Sequence, residues 1–142
     1  LKGRFHTLFM KDWILIDDSY NANPSSFKSV LENMKNLYPQ NRKIVVCGKM
    51  AELGHNSSKL HQQVGINMVK NGVEILFCLG NGEIESYIVG WDKEGGNLKS
   101  AKQFAELDEL LNAFRNVLKP GDVVLVKGSR SARMEKFIEN MK

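Results

Sequence analysis

A doubly wound α/β domain is the fold class this sequence predicts, with a mostly parallel sheet, helices on both faces and an antiparallel strand from an N-terminal hairpin. Three observations carry that expectation. Short apolar, β-branched runs recur at residues 13–17, 43–47, 73–79 and 122–127, and stretches with helical spacing separate them. Strands alternating with helices need right-handed crossovers, which lay the strands parallel and cover both faces of the sheet. Each run also ends in a glycine or polar cluster, and the carboxyl ends of parallel strands form the edge where such sheets hold ligands.

Taken in order, residues 4–10 and 13–17 are two β runs separated by Lys11-Asp12, which predicts a hairpin. Phe27, Val30, Leu31, Met34 and Leu37 make one apolar stripe. That helix is expected to start at Asn23 or Ser25, with Pro24 in the first turn where its missing N–H costs little, and to stop at Pro39. Residues 43–47 read as a buried strand, and a loop over 48–57 leads to a helix carrying Leu60, Val64 and Met68, capped near Asn71-Gly72. After the strand at 73–79, Gly80-Asn81-Gly82 opens a helix expected to run through Ile88. Between Gly90 and Ala105 the pattern weakens to a loop at Gly95-Gly96-Asn97 and a short strand around 98–102. Leu107, Leu110, Leu111, Phe114, Val117 and Leu118 give the cleanest helical stripe, closed by Pro120-Gly121. A strand at 122–127, a loop at 128–131 and a helix lined by Met134, Phe137, Ile138 and Met141 complete the chain.

The 142 residues suit one domain, 42% hydrophobic and 25% charged. The net charge of +4 is spread along the chain with no clustered basic stripe, so nucleic acid is not an expected partner. No apolar stretch approaches the ~20 residues of a membrane span, and no signal peptide is visible. Cys47 and Cys78 end two apolar runs and read as small buried hydrophobes in a reducing compartment, so a cytoplasmic protein is expected. The chain starts at Leu1 in the middle of a strand approach, which suggests a piece of something longer.

Four polar clusters follow the main strands: residues 17–24, 48–54, 80–83 and 128–131. In a parallel sheet they would meet in one crevice. The first, Asp17-Asp18-Ser19-Tyr20-Asn21-Ala22-Asn23-Pro24, is the most unusual. A plain turn capped by Asn23 accounts for Asn23 and Pro24 but leaves Asp17, Asp18 and Tyr20 unexplained. An acid at a strand's carboxyl end can accept ribose hydroxyls, and a tyrosine beside it can stack on a base. Gly128-Ser129-Arg130-Ser131 has two readings: an anion site of hydroxyls, guanidinium and helix N–H groups, or a helix cap made by Ser129 or Ser131. Gly80-Asn81-Gly82 lacks the G-x-G-x-x-G spacing and reads as a turn, which disfavours a nicotinamide-dependent dehydrogenase. His6, His55 and His61 lack ligand spacing, so no metal site is expected, and no Ser–His–acid set can be placed. There is no G-x-x-x-x-G-K-[ST] loop, so any triphosphate would be held by something else.

Residues 17–24, Gly48-Lys49-Met50-Ala51-Glu52-Leu53-Gly54 and Lys127-Gly128-Ser129-Arg130-Ser131 with Met134-Glu135 together resemble the C-terminal domain of Mur ligases. Among these the match is to the type that adds D-alanyl-D-alanine to UDP-N-acetylmuramoyl-tripeptide. The resemblance implies a Rossmann-like domain that does not use NAD and works as one of three, beside a UDP-sugar domain and a central P-loop domain. It implies ATP and Mg2+, the metal held mainly by the central domain, an acyl phosphate on the tripeptide, and attack by the dipeptide amine. Such a domain alone would be inactive and would contain no complete catalytic set. By resemblance Arg4 reaches the ATP phosphates, Asp18 holds the ribose, and Tyr20, Asn21 and Asn23 lie near the nucleotide or the dipeptide. Ser129 and Arg130 are candidates for the dipeptide carboxylate. The family usually has Asp where this chain has Lys49, which could instead contact an anion or be exposed. A stand-alone ligand-binding or interaction domain is the alternative.

Overall fold

The computed structural model describes residues 3–142. Its six strands are β1 (His6–Phe9), β2 (Ile14–Asp18), β3 (Lys43–Cys47), β4 (Val73–Leu79), β5 (Ala101–Phe104) and β6 (Val123–Lys127), arranged in one sheet of order β1-β2-β6-β3-β4-β5. β1 pairs antiparallel to β2, and all other pairings are parallel. Among the described residues, four α-helices lie between strands, α1 (Pro24–Leu37), α2 (Ser57–Lys70), α3 (Glu85–Lys93) and α4 (Leu107–Val117), and α5 (Glu135–Glu139) follows β6.

The strand order explains the two layers. From β2 through β5 the chain steps in one direction, so α1, α2 and α3 all cover one face. The return from β5 to β6 reverses direction and puts α4, then α5, on the other. Period-two alternation supplies each face with side chains. Ile16, Val45, Cys47 and Leu125 face Phe27, Leu31, Val64 and Tyr87, whereas Leu15, Ile44, Val46 and Val124 face Leu110, Phe114 and Phe137. The central strands β3 and β6 are buried along their whole length, as their continuous apolar runs require.

Helix α1 begins as expected. Asn23 accepts a hydrogen bond from the Ser26 N–H at 2.8 Å, and Ser26 Oγ accepts one from the Asn23 N–H at 3.1 Å, with Pro24 just inside. Helices α2 and α3 touch backbone to backbone. A Cβ on Gly65 would lie 2.0 Å from the Tyr87 carbonyl oxygen, and one on Gly90 1.9 Å from that of Gln62. Cys47 and Cys78 are register partners on β3 and β4, fully buried and free. Among the described residues no helix is long and apolar enough to cross a membrane.

The boundaries differ from expectation where turn chemistry governs. The first strand begins at His6, because residues 3–5 form a turn in which Gly3 and Phe5 take positive φ (78° and 43°). Helix α3 runs on to Lys93, since Trp91 is buried and its indole N–H finds the Asn97 carbonyl. The strand expected at 98–102 lies at Ala101–Phe104, after a single 3-10 turn at Leu98–Ser100. The last helix is only five residues long.

Candidate functional site

The alternation that fills the core also divides the two aspartates at the end of β2. Asp18 shares a face with Ile16, on the α1 side, and Asp17 shares the opposite face with Leu15. Asp18 is the register partner of Lys127, the last residue of β6. Lys127 Nζ donates to Asp18 Oδ2 at 2.5 Å and to the Asn21 carbonyl at 2.9 Å, and lies 5.3 Å from the centre of the Phe27 ring. The other oxygen of Asp18 accepts the Phe5 N–H at 2.8 Å. Lys127 is 1% exposed. Burial pushes its ammonium pKa below the ordinary lysine value, against the pull of Asp18 in the other direction. The carboxylate is thus fixed from two sides, with its side chain still 15% exposed.

Tyr20 stands between two clefts. Its N–H donates to the Gly3 carbonyl at 2.8 Å; the residue is 41% exposed, and its ring has the Arg4 guanidinium 4.2 Å and the Arg130 guanidinium 5.2 Å from its centre. Both distances fit cation–π contact. One cleft, of about 300 Å³, is lined by Arg4, Asp18, Tyr20, Asn21, Asn23 and Lys127 among others. The second, of about 480 Å³, is lined by Asp17, Ser19, Tyr20, Arg130, Ser131 and Arg133 among others. Asp17 Oδ1 accepts from the Ser19 N–H at 3.1 Å and Oγ–H at 2.6 Å, so this acid braces the turn.

The ends of β3 and β6 continue their pairing into the loops. Gly48 N–H donates to the Lys127 carbonyl at 2.9 Å and Ser129 N–H to the Lys49 carbonyl at 2.8 Å. A Cβ on Gly48 would lie 2.5 Å from that of Ala132, which is why the approach needs glycine. Neither reading of residues 128–131 holds as a helix terminus. Ser129, 2% exposed, makes no cap and instead places Oγ 3.0 Å from Ser131 Oγ. The chain then turns through Arg133 at φ 55°, and α5 starts only at Glu135. Arg130 is exposed beside Tyr20.

A profile described as "Mur ligase, glutamate ligase domain" matches residues 3–130. The chain belongs to the Mur ligase family. It is 37% identical over 128 residues to the UDP-N-acetylmuramoyl-tripeptide--D-alanyl-D-alanine ligase of Buchnera aphidicola subsp. Acyrthosiphon pisum, covering 90% of this chain and 26% of that protein. To the enzyme of the same name from Borreliella burgdorferi it is 29% identical over 137 residues, covering 96% and 29%. The solved MurF ligase from Thermotoga maritima in complex with ADP superposes with a TM-score of 0.81 at 28% identity, over 98% of this chain and 30% of that one. The chain therefore spans less than a third of the length of these relatives.

In this Mur ligase domain the fold gathers Arg4, Asp18, Tyr20, Asn21 and Asn23 around the smaller cleft and sets Arg130 on the wall of the larger one, which shares Tyr20 with it. Lys49 is exposed and lines neither, and only its carbonyl reaches Ser129. The 80–83 cluster does not join the crevice either. β4 stands beyond β3, and Gly80 is tied to β5 through Phe104 and Gln103. Lys127 was missed as a site residue, although a lysine closing an apolar strand is a visible signal of a buried cation with an acidic partner. Also missed was a Ser57–His61–Glu83 group. Ser57 Oγ donates to Glu83, His61 Nδ1–H donates to the Ser57 carbonyl at 2.7 Å, and His61 Nε2 accepts the Met50 N–H at 3.1 Å. Both ring nitrogens are used on backbone groups, so the histidine activates no nucleophile. Among the described residues no group of three or more His, Cys, Asp or Glu could hold a metal ion.

Proposed function

We propose that this domain is the C-terminal part of an ATP-dependent ligase that joins D-alanyl-D-alanine to UDP-N-acetylmuramoyl-tripeptide in peptidoglycan-precursor synthesis. The observation carrying the reading is the Asp18 carboxylate, fixed by Lys127 and the Phe5 N–H at the carboxyl end of β2 and open to a cleft beside Tyr20. A carboxylate held in place before ligand arrives can accept two ribose hydroxyls without reorganising. Tyr20 offers a stacking face, Asn21 and Asn23 line the same cleft, and Arg4 is an exposed cation for the phosphates. Arg130 and Ser129 take the dipeptide carboxylate on the other side of Tyr20, and Lys49, outside both clefts, contributes through its carbonyl bond to Ser129.

The chemistry needs an activated acyl group, because a bare carboxylate has no leaving group. ATP supplies it by phosphorylating the tripeptide carboxylate, the dipeptide amine attacks the acyl phosphate, and phosphate departs. This domain's share is to orient the nucleoside and the amine and to exclude water. The triphosphate and Mg2+ belong to a central P-loop domain of the parent enzyme. In that enzyme, Asp18→Ala is expected to raise the KM for ATP at least tenfold with folding intact, and Arg130→Ala to raise chiefly the KM for the dipeptide. An unchanged ATP KM and kcat in the first variant removes Asp18 from the site, and an effect of the second on ATP alone refutes its assignment. Measurable ligase turnover by residues 1–142 alone would contradict the division of labour.

A further inference from the structure

The loop after β3 is held from below by two buried side chains of the α2–α3 pair. Tyr87 Oη–H donates to the Gly48 carbonyl at 2.9 Å, and His61 Nε2 accepts the Met50 N–H at 3.1 Å. Between those anchors, the Lys49 carbonyl accepts the Ser129 N–H. A continuous set of hydrogen bonds therefore joins a fully buried histidine to the turn carrying Ser129 and Arg130. We propose that neutral His61 is a positioning residue, holding the 48–50 loop and through it the 129–130 turn in binding geometry. The functional half of this rests on the reading of Ser129 and Arg130 as substrate contacts.

The tautomer makes the device one-directional. Nδ1–H is committed to the Ser57 carbonyl at 2.7 Å, so Nε2 must stay unprotonated to receive Met50. A proton at Nε2 would set two donors against each other. The groups facing the ring are Ser57 on its own helix, Glu83 at the approach to α3, and Tyr87 on α3, whose ring centre lies 4.7 Å away. Burial lowers the His61 pKa, and Glu83 opposes that shift. Because the folded value lies below the unfolded one of about 6.5, the neutral, loop-holding form is complete above pH ~6.5. Stability is lost as the pH falls from there through the folded pKa.

The test is a pH titration of the 15N-labelled 142-residue chain, which has its own two-sided core. Protonation of His61 should shift the Met50 and Ser129 amides together, with one midpoint below 6.5. His61→Gln, which carries a neutral acceptor, should abolish the step. His61→Phe should speed hydrogen exchange at Met50 and Ser129 about tenfold at every pH, the effect of one lost hydrogen bond. In the parent ligase His61→Phe should raise the dipeptide KM several-fold without moving that for ATP, and His61→Gln should restore it. Amides at 50 and 129 that ignore both His61 protonation and His61→Phe would overturn the proposal. Amides that respond with an unmoved dipeptide KM would leave the positioning of the loop standing and refute the substrate assignment of Ser129 and Arg130.

Discussion

Replacing Lys127 by Met isolates the interaction that fixes the proposed nucleotide carboxylate. The Nζ group makes a charged hydrogen bond to Asp18 at 2.5 Å, a second to the Asn21 carbonyl at 2.9 Å, and a contact with the Phe27 ring. Losing a hydrogen bond to a charged group costs roughly 1.5–3 kcal/mol, and a neutral one about 1 kcal/mol. Asp18 is part-exposed and can recover water, which reduces the penalty of stranding it, and a methionine packs well against Phe27. The expected net loss is about 2–3 kcal/mol. A chain of this size unfolds with roughly 0.3 kcal/mol/K of entropy, so the melting temperature should fall by about 7–10 °C. The deciding measurement is the double-mutant cycle with Asp18→Asn, followed by urea unfolding. Lys127→Met in the Asp18→Asn background should cost at least ~1.5 kcal/mol less than in the unsubstituted chain, since the stranded charge is gone. Additive losses, or a single-variant loss below about 0.5 kcal/mol, would refute the view that the lysine exists to hold that carboxylate.

Gly90→Ala should destabilise by about 3 kcal/mol or more, because its Cβ would lie 1.9 Å from the Gln62 carbonyl oxygen and must spread α2 from α3; thermal unfolding checks it. Asn23→Ala should cost about 1 kcal/mol by removing the cap of α1, with Asn23→Asp nearly neutral in the same denaturation assay. Cys47 and Cys78, fully buried with the Cys47 thiol pKa pushed well up by burial, should react with a thiol reagent only after denaturation. Labelling of the native chain at the denatured rate would contradict their burial. Lowering the pH from 7 to 5 should reduce stability in the unsubstituted chain more than in His61→Gln, because the unfolded histidine takes up a proton from about pH 6.5 that the buried one resists.

Periodicity made the fold legible. Strands of β-branched residues buried on both faces and helices with single stripes leave one sensible layering. The places where element boundaries drifted have a common cause. At residues 3–5, 98–104 and 133–139, the path depends on positive-φ turns, a 3-10 turn and where single side chains find partners, none of which leaves a periodic trace. The serine turn is the clearest case. Two serines and an arginine before an apolar stripe suggest a capped helix, but Gly48 and Met134 crowd Gly128 and the chain coils once before α5 can begin.

By itself the sequence determined that the chain is an α/β domain with its polar clusters at the carboxyl ends of its strands. It also singled out residues 17–24 as the richest of those ends, because local hydrophobic pattern and residue type are sufficient for both. Tertiary structure decided which of the four clusters meet. Strand order places β6 between β2 and β3, so Lys127 becomes the partner of Asp18, a residue 109 positions away, while 80–83 is left outside. Partnership across a sheet follows from the direction of each crossover and the register of each pair, and these are set by the packing of whole layers.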